Sequence, residues 1–370
     1  MKLKVAAPGI KTILDATASV APGTGKRPQL ECTRIDVEEG QVVFSATNQN
    51  ESVRILYDGE MESEIGSVYL PSANLLRVVK EAKKGDVEIT WDGKSQKALI
   101  RLAGTEVKLP VEPPEHLPPI QRFKPGKPFV TLPGSALTGL FARTRFSVMS
   151  DFVARALGGV NLIVKGGQVE AAASDGKRIS VVKVPCENPG DVDATVILPP
   201  ISATNVKWLM QGPEGMVDLQ LSPSRFLLRG PRGELSQGLI IGEFPDYQGH
   251  VPARHPKSME VDRKALIAFF DQAKIIKVLS EIKYKFLLRA GEIEMQASAG
   301  TDGAVTAVLP VPWTWPDMSI PFDPILLVDS LKAMQSEHVV LGFDTPQSTI
   351  LLTELGDEFD NHFAASPRYE

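Results

Sequence analysis

The feature that most constrains this chain is a threefold internal recurrence at a domain-sized spacing. The stretch Gln168 to Pro185 reads as two short strands joined at Ser174-Asp175-Gly176, because small and β-branched residues flank an Asp-Gly pair that tolerates the positive φ of a tight turn. Similar stretches run from Val42 to Asn48 and on to Ile55, and from Ile293 to Ala299 and on to Pro310. Ala46, Ala173 and Ala297 hold the same place in this pattern, 127 and 124 residues apart. Pro71, Pro199 and Pro321, each stopping a strand ahead of a helix, lie 128 and 122 residues apart. Two independent markers thus give one period, and the 370 residues divide into three like domains at 1–127, 128–256 and 257–370.

The Pro-rich run Glu112 to Pro128 is a stiff linker between the first two domains, and the polar stretch His250 to Lys257 separates the last two. Within each repeat a strand-helix-strands pattern occurs twice. The fold class is therefore α+β, with six helices and six small antiparallel sheet segments. The helices are expected at Gly9–Val20, Ser72–Lys84, Ser135–Val148, Ser202–Met210, Arg263–Leu279 and Asp323–Met334, with Asp262 as an N-cap.

Several function classes are excluded at this level. Gly23 to Lys26 resembles a phosphate loop, but Val20 and Arg27 occupy positions where the Walker pattern requires Gly and Ser or Thr. The five histidines show no ligand spacing, and Cys32 and Cys186 are too few and too scattered for a disulfide framework or a thiolate site, so neither a metal nor a cofactor is expected. No nucleophile-base-orienter set is visible, and an enzyme is not expected. The N-terminus lacks a secretory apolar run and no later segment approaches a membrane span, which points to the cytoplasm and to no membrane partner.

The net charge of -5 argues against a nucleic-acid partner unless the basic residues are segregated. They are: the predicted helices carry Lys11, Arg77, Lys80, Lys83, Lys84, Arg143, Arg145, Lys207, Arg263, Lys264, Lys274, Lys277 and Lys332 against few acids, chiefly Asp15, Glu81, Asp271 and Asp329. Such faces are either ordinary solvated surface or, if the helices line a hole, a wall that attracts phosphate without reading bases.

The order of elements and several words resemble the bacterial DNA polymerase III beta subunit family, the sliding clamps. Gly25-Lys26-Arg27-Pro28, Arg145-Phe146-Ser147, Ser174-Asp175-Gly176-Lys177-Arg178-Ile179, Phe244-Pro245-Asp246-Tyr247 and Phe322 to Val328 carry the resemblance, which covers essentially the whole chain. It implies a homodimeric, head-to-tail ring of clamp domains, helices inside and sheets outside, that encircles duplex DNA and serves the replicative polymerase, the clamp loader and clamp-binding repair proteins.

On this resemblance Arg27, Arg77, Lys80, Lys83, Arg143, Arg145, Lys207, Lys264, Lys274 and Lys332 touch the DNA backbone. Leu157, Ser174, Gly176, Lys177, Arg178, Ile179, Pro245, Tyr284, Asp323, Leu326, Ser348 and Pro367 match a pocket for partner peptides, with Leu157, Ile179 and Leu326 as its apolar walls and Arg178 and Ser348 satisfying polar groups. The strand Thr105 to Leu109 meets the end of the helix Arg263 to Leu279 of a second copy, Val107 and Leu109 facing Val278 and Leu279. The ending Ala365-Ser366-Pro367-Arg368-Tyr369-Glu370 departs from the apolar, Met-containing tail of the family, which implies weaker or altered peptide preference. A clamp-like paralogue without the replicase role and a repeated α+β binding protein stay open as alternatives.

Overall fold

The computed structural model describes residues 1–21, 27–82, 85–102, 104–113, 118–150, 155–200, 206, 208–210, 215–275, 283–299, 303–355 and 359–367. These residues form two compact units: Met1–Thr138 with Cys186–Val192 and Ile201–Leu239, and Gly139–Pro185 with Asp193–Pro200 and Ile240–Glu370. All sheet pairing among the described residues is antiparallel, in four sheets.

The first unit holds a five-stranded sheet in the order Met61–Glu64, Lys2–Ala6, Asp86–Thr90, Lys97–Leu102, Thr105–Pro110. It also holds an eight-stranded sheet: Val130–Pro133, Met216–Ser222, Arg225–Gly230, Gly233–Gly238, Glu51–Tyr57, Gln41–Thr47, Cys32–Glu38, Gly66–Pro71. Helices α1 (Ala7–Val20) and α2 (Ser72–Glu81) pack against each other, with Ile10, Ile13, Leu14, Leu75 and Val79 buried as their spacing predicts. A buried hydroxyl chain ties them to the sheet: Thr33 Oγ1 donates to Thr17 Oγ1 at 2.9 Å and meets Ser72 Oγ at 2.9 Å.

The second unit is built alike. Its eight-stranded sheet runs Ala194–Leu198, Val160–Lys165, Gln168–Ser174, Arg178–Pro185, Asp360–Ala365, Ile350–Glu354, His338–Phe343, Lys257–Asp262, and its four-stranded sheet runs Ala304–Pro310, Glu292–Ser298, Lys283–Arg289, Met318–Ile320. Three further helices are α3 (Gly134–Thr144), which starts in the first unit, α4 (Arg263–Asp271) and α5 (Ile325–Ala333). Asp262 caps α4 as expected, its Oδ1 accepting from Ala265 N at 2.6 Å. Helix α3 passes at Thr144 into a 3-10 turn, Arg145–Ser147.

The six separate sheet segments expected from the sequence are not what forms. The strand after the recurrent turn of one repeat pairs with the last strand of the next: Glu51–Tyr57 with Gly233–Gly238, and Arg178–Pro185 with Asp360–Ala365. Each such pairing fuses two segments into one eight-stranded sheet and removes two open edges. At the first of these junctions Gly233 has φ +147°, and a Cβ there would sit 1.9 Å from Arg54 O, so only glycine fits.

Arg143 also departs from its expected place. Its side chain is 1% exposed and pairs with the fully buried Glu354 through Nη2 at 3.4 Å, while its guanidinium lies 4.0 Å from the Phe359 ring centroid. Glu354 additionally accepts from Asn361 Nδ2 at 2.9 Å, Ser336 N at 2.7 Å and Gln335 N. A side chain held this way fastens α3 to the strands Ile350–Glu354 and Asp360–Ala365 and presents no charge to a DNA backbone. Removing one partner of a buried pair strands the other, so Arg143→Met is expected to lower stability by about 3–5 kcal/mol in denaturant unfolding, against about 0.5 kcal/mol or less for Arg145→Met two residues on.

Candidate functional site

The Asp-Gly turn singled out in the sequence is the centre of a densely hydrogen-bonded site within the second unit. Ser174 Oγ donates to Arg178 O at 2.9 Å and accepts from Gly176 N at 3.1 Å. Asp175 Oδ1 accepts from the backbone N–H of Lys177 and of Arg178, both at 3.0 Å, and Gly176 takes φ +83°, the left-handed conformation that glycine adopts without strain.

Arg178 fans out from this turn. Its Nε donates to Asp175 Oδ2 at 3.0 Å, Nη1 to Leu326 O at 3.2 Å and Asp329 Oδ2 at 2.9 Å, and Nη2 to Phe146 O at 2.8 Å. Lys177 O accepts from Ser366 N at 2.9 Å, so the chain end runs beside the turn with Pro367 buried. Asp323 prepares the start of α5, its Oδ1 accepting from Ile325 N at 3.1 Å and its carbonyl from Leu326 N at 3.2 Å.

The apolar side of the site comes from neighbouring loops. Ile179, Phe244 and Val251 pack on a cluster of Ala172, Val181 and Tyr247. Pro245 is exposed between Phe244 and Tyr247, whose rings meet edge-on at 5.9 Å. Leu157 is half-buried in a 3-10 turn, Arg155–Gly158, and its carbonyl accepts from Met149 N at 2.9 Å; Met149 Cε lies 3.8 Å from where a Cβ on Gly176 would be. The structure thus gathers Leu157, Ser174, Gly176, Lys177, Arg178, Ile179, Pro245, Asp323, Leu326 and Pro367 around one turn. Tyr284 stands in the four-stranded sheet opposite Ala297, and Ser348 closes its own turn through Thr345 Oγ1 at 2.8 Å.

Sequence reasoning missed Phe146, Met149 and Asp329. They lie 32 residues before Arg178, 29 before it and 151 after it, and nothing local marks them as partners of a turn.

Tyr247 locks the loop to the sheet. Its hydroxyl donates to Glu170 Oε1, which belongs to the strand Gln168–Ser174, and Glu170 also meets Lys183 Nζ at 3.4 Å. Burial, and then the bond to Glu170 and its charge, hold the phenol well above its ordinary pKa. Burial likewise pushes the Cys32 thiol up to about 12, with Glu112 and Glu31 adding to it, and raises Cys186, so neither presents a thiolate at neutral pH.

Of the basic residues expected at DNA, Arg27, Arg77, Lys80, Arg145, Lys264 and Lys332 are exposed. Lys80 pairs with Asp15 at 3.0 Å and Lys332 with Asp271 at 3.9 Å, surface contacts worth about 1 kcal/mol or less and readily exchanged for phosphate. Lys83, Lys207, Val278 and Leu279 lie outside the described residues, as do Lys84, Lys277 and the side chain of Lys274. Arg263 is turned inward, Nε donating to Ser336 O at 2.7 Å and Nη1 to Leu331 O at 3.0 Å. Leu109, expected to face a second copy, is 6% exposed and belongs to the core of its own sheet; Val107, two residues earlier, is only half-buried. Among the described residues no group of three or more His, Cys, Asp or Glu is placed to hold a metal, and no helix is long and apolar enough to cross a membrane.

Comparison with known proteins gives one consistent result. Profiles of the DNA polymerase III beta subunit match in tandem, the N-terminal domain over residues 1–121, the central domain over 131–246 and the C-terminal domain over 250–365. The beta sliding clamp of Pseudomonas putida is 26% identical over 359 residues, 96% of either chain, and that of Chlamydia muridarum 23% over 354 residues, again 96% of either chain. Among solved structures, the sliding clamp of Pseudomonas aeruginosa bound to griselimycin superposes with a TM-score of 0.90 at 22% identity over 100% of both chains. That of Bacillus subtilis superposes with a TM-score of 0.88 at 19% identity, over 100% of this chain and 99% of its own.

The Tyr247 bond makes a testable contribution. Tyr247→Phe leaves Glu170 short of a donor and is expected to cost about 1–3 kcal/mol. Because the folded pKa is raised, the stabilisation is fully present below the unfolded phenol value of about 10 and declines as pH rises beyond it. Denaturant unfolding from pH 8 to 11 should show wild type losing stability faster than Tyr247→Phe above about pH 10; parallel curves would contradict the assignment.

Proposed function

The chain belongs to the DNA polymerase III beta subunit family and is a non-catalytic DNA sliding clamp, and we propose that two copies close head to tail into a ring around duplex DNA. The observation that carries ring closure is which strand edges are left open. The strand that follows the recurrent turn in the third repeat is Ala304–Pro310, and the last strand of the first repeat is Thr105–Pro110; each is the terminal strand of its sheet. Their counterparts pair with each other at both internal junctions. Pairing these two strands between copies applies the same rule again, twice per dimer by symmetry, and leaves neither edge open. Val308, 50% exposed on one strand, and Val107 on the other supply apolar contact for such a seam. On this reading a strand of the second copy, rather than the end of the helix Arg263 to Leu279 alone, stands opposite Thr105–Pro110.

Within such a ring Arg27, Arg77, Lys80, Arg145, Lys264 and Lys332, with Lys83, Lys207 and Lys274, are the cations offered to the phosphate backbone. The contact is electrostatic and indifferent to sequence, as sliding requires. The site around Gly176 takes short peptides of the replicative polymerase, of the clamp loader and of repair proteins. Leu157, Ile179 and Leu326 receive the apolar side chains, and Ser366 and Arg368, the latter outside the described residues, stand in the sequence where thioethers are usual and shift the preference.

The seam decides between this reading and a clamp-like chain that does not close. Light scattering should give wild type a mass of about twice the 40.2 kDa of one chain, and Val107→Asp combined with Val308→Asp should return it to one chain, because buried unpaired carboxylates oppose association. A wild type that stays at the single-chain mass, or a double variant that still dimerises, would overturn the proposed seam.

A further inference from the structure

Sequence reasoning assigns Arg178 to the polar groups of a bound peptide, yet four of its five donors are already committed. A guanidinium has five N–H donors. Four of the contacts it makes here go to the protein itself: Asp175 Oδ2, Leu326 O, Asp329 Oδ2 and Phe146 O, at 2.8 to 3.2 Å. The side chain is 14% exposed, and its guanidinium lies 5.3 Å from the centroid of the Phe146 ring, which in turn stacks on Phe363 at 6.1 Å. The acceptors come from three separate pieces of chain: the recurrent turn, the first half of α5, and the 3-10 turn that follows α3.

We propose that Arg178 is the positioning residue of the peptide site, a strut that holds the Asp175 turn and the start of α5 at a fixed separation, rather than a ligand to the peptide. Leu326 is a wall of the site and its carbonyl is one anchor of the strut; Asp175, a second anchor, orients the Lys177 and Arg178 amides that shape the other side. Only a planar fork reaches three pieces of chain at once; an ammonium on a flexible stem keeps the charge and loses the geometry. The inference rests on the proposed function in one respect, that the site binds peptides.

The test uses the full chain as Arg178→Lys, Arg178→Gln, Asp329→Asn and Arg178→Gln/Asp329→Asn. Two readouts are taken: amide hydrogen exchange without peptide, and calorimetric Kd for a synthetic peptide from the C-terminus of the replicative polymerase carrying one Gln and a pair of hydrophobic residues. Leu157→Asp serves as the control that abolishes binding. A strut predicts that Arg178→Lys and Arg178→Gln both speed exchange at the backbone amides of Gly176, Lys177 and the substituted position itself. Both should also weaken the peptide about tenfold or more, the equivalent of losing one or two charge-assisted hydrogen bonds. Asp329→Asn alone should cause part of that loss and add nothing in the Arg178→Gln background. Peptide affinity retained in Arg178→Lys would show that charge alone matters and overturn the strut, as would unchanged exchange in both Arg178 variants. A wild type that binds no peptide removes the peptide reading itself, while the exchange readout still decides whether Arg178 holds the turn.

Discussion

An antiparallel sheet that ends in an exposed strand carries a row of unsatisfied backbone donors and acceptors, and the arrangement of this chain follows from how those edges are covered. At each internal junction the strand after the recurrent turn finds its partner in the last strand of the following repeat, giving eight-stranded sheets from pieces of two repeats. This is why the chain does not separate by contact into three sequence-defined thirds but into two units, each containing parts of two repeats. The same rule, carried one step further, asks for a second copy.

Sheet pairing fixes which repeats adjoin; side chains fix how firmly. In the second unit Arg143 with Glu354 and Arg178 with Asp329 fasten middle-repeat elements to last-repeat elements, one deeply buried and one beside the Asp175-Gly176 turn. Buried ion pairs contribute little net stability but penalise any arrangement that separates the partners, and that selectivity suits a joint between repeats. The exposed cations on α2, α4 and α5 and at Arg145 bear no such duty. Positive charge carried by helices in a chain of net charge -5 leaves the rest of the surface correspondingly acidic, which suits a protein that must hold DNA in one place and repel it elsewhere.

Much of this was legible in the sequence because it is local or periodic. The Asp175-Gly176 turn, the Asp262 cap and the apolar stripe of α1 all depend on neighbours a few residues away, and all formed where the pattern put them. What could not be read depends on distant partners. Arg143 and Arg145 look alike on a predicted helix, but the helix ends at Thr144 and the two side chains diverge, one to a carboxylate 211 residues away and one to solvent. Leu109 alternates inward with a sheet whose other strands were not yet known to be its neighbours. Residue type and position at Arg178 likewise do not reveal that four of its five donors go to Asp175, Leu326, Asp329 and Phe146.

Ring closure by strand pairing is the central claim, and a topological measurement tests it most directly. The clamp is assembled on a nicked circular duplex by its clamp loader, the circle is cut once with a restriction enzyme, and the bound fraction is followed over time at moderate salt. A closed ring stays on the circle and runs off the linear product within the same interval. Equal retention on circular and linear DNA would show that the protein is held by contact alone and does not encircle the duplex.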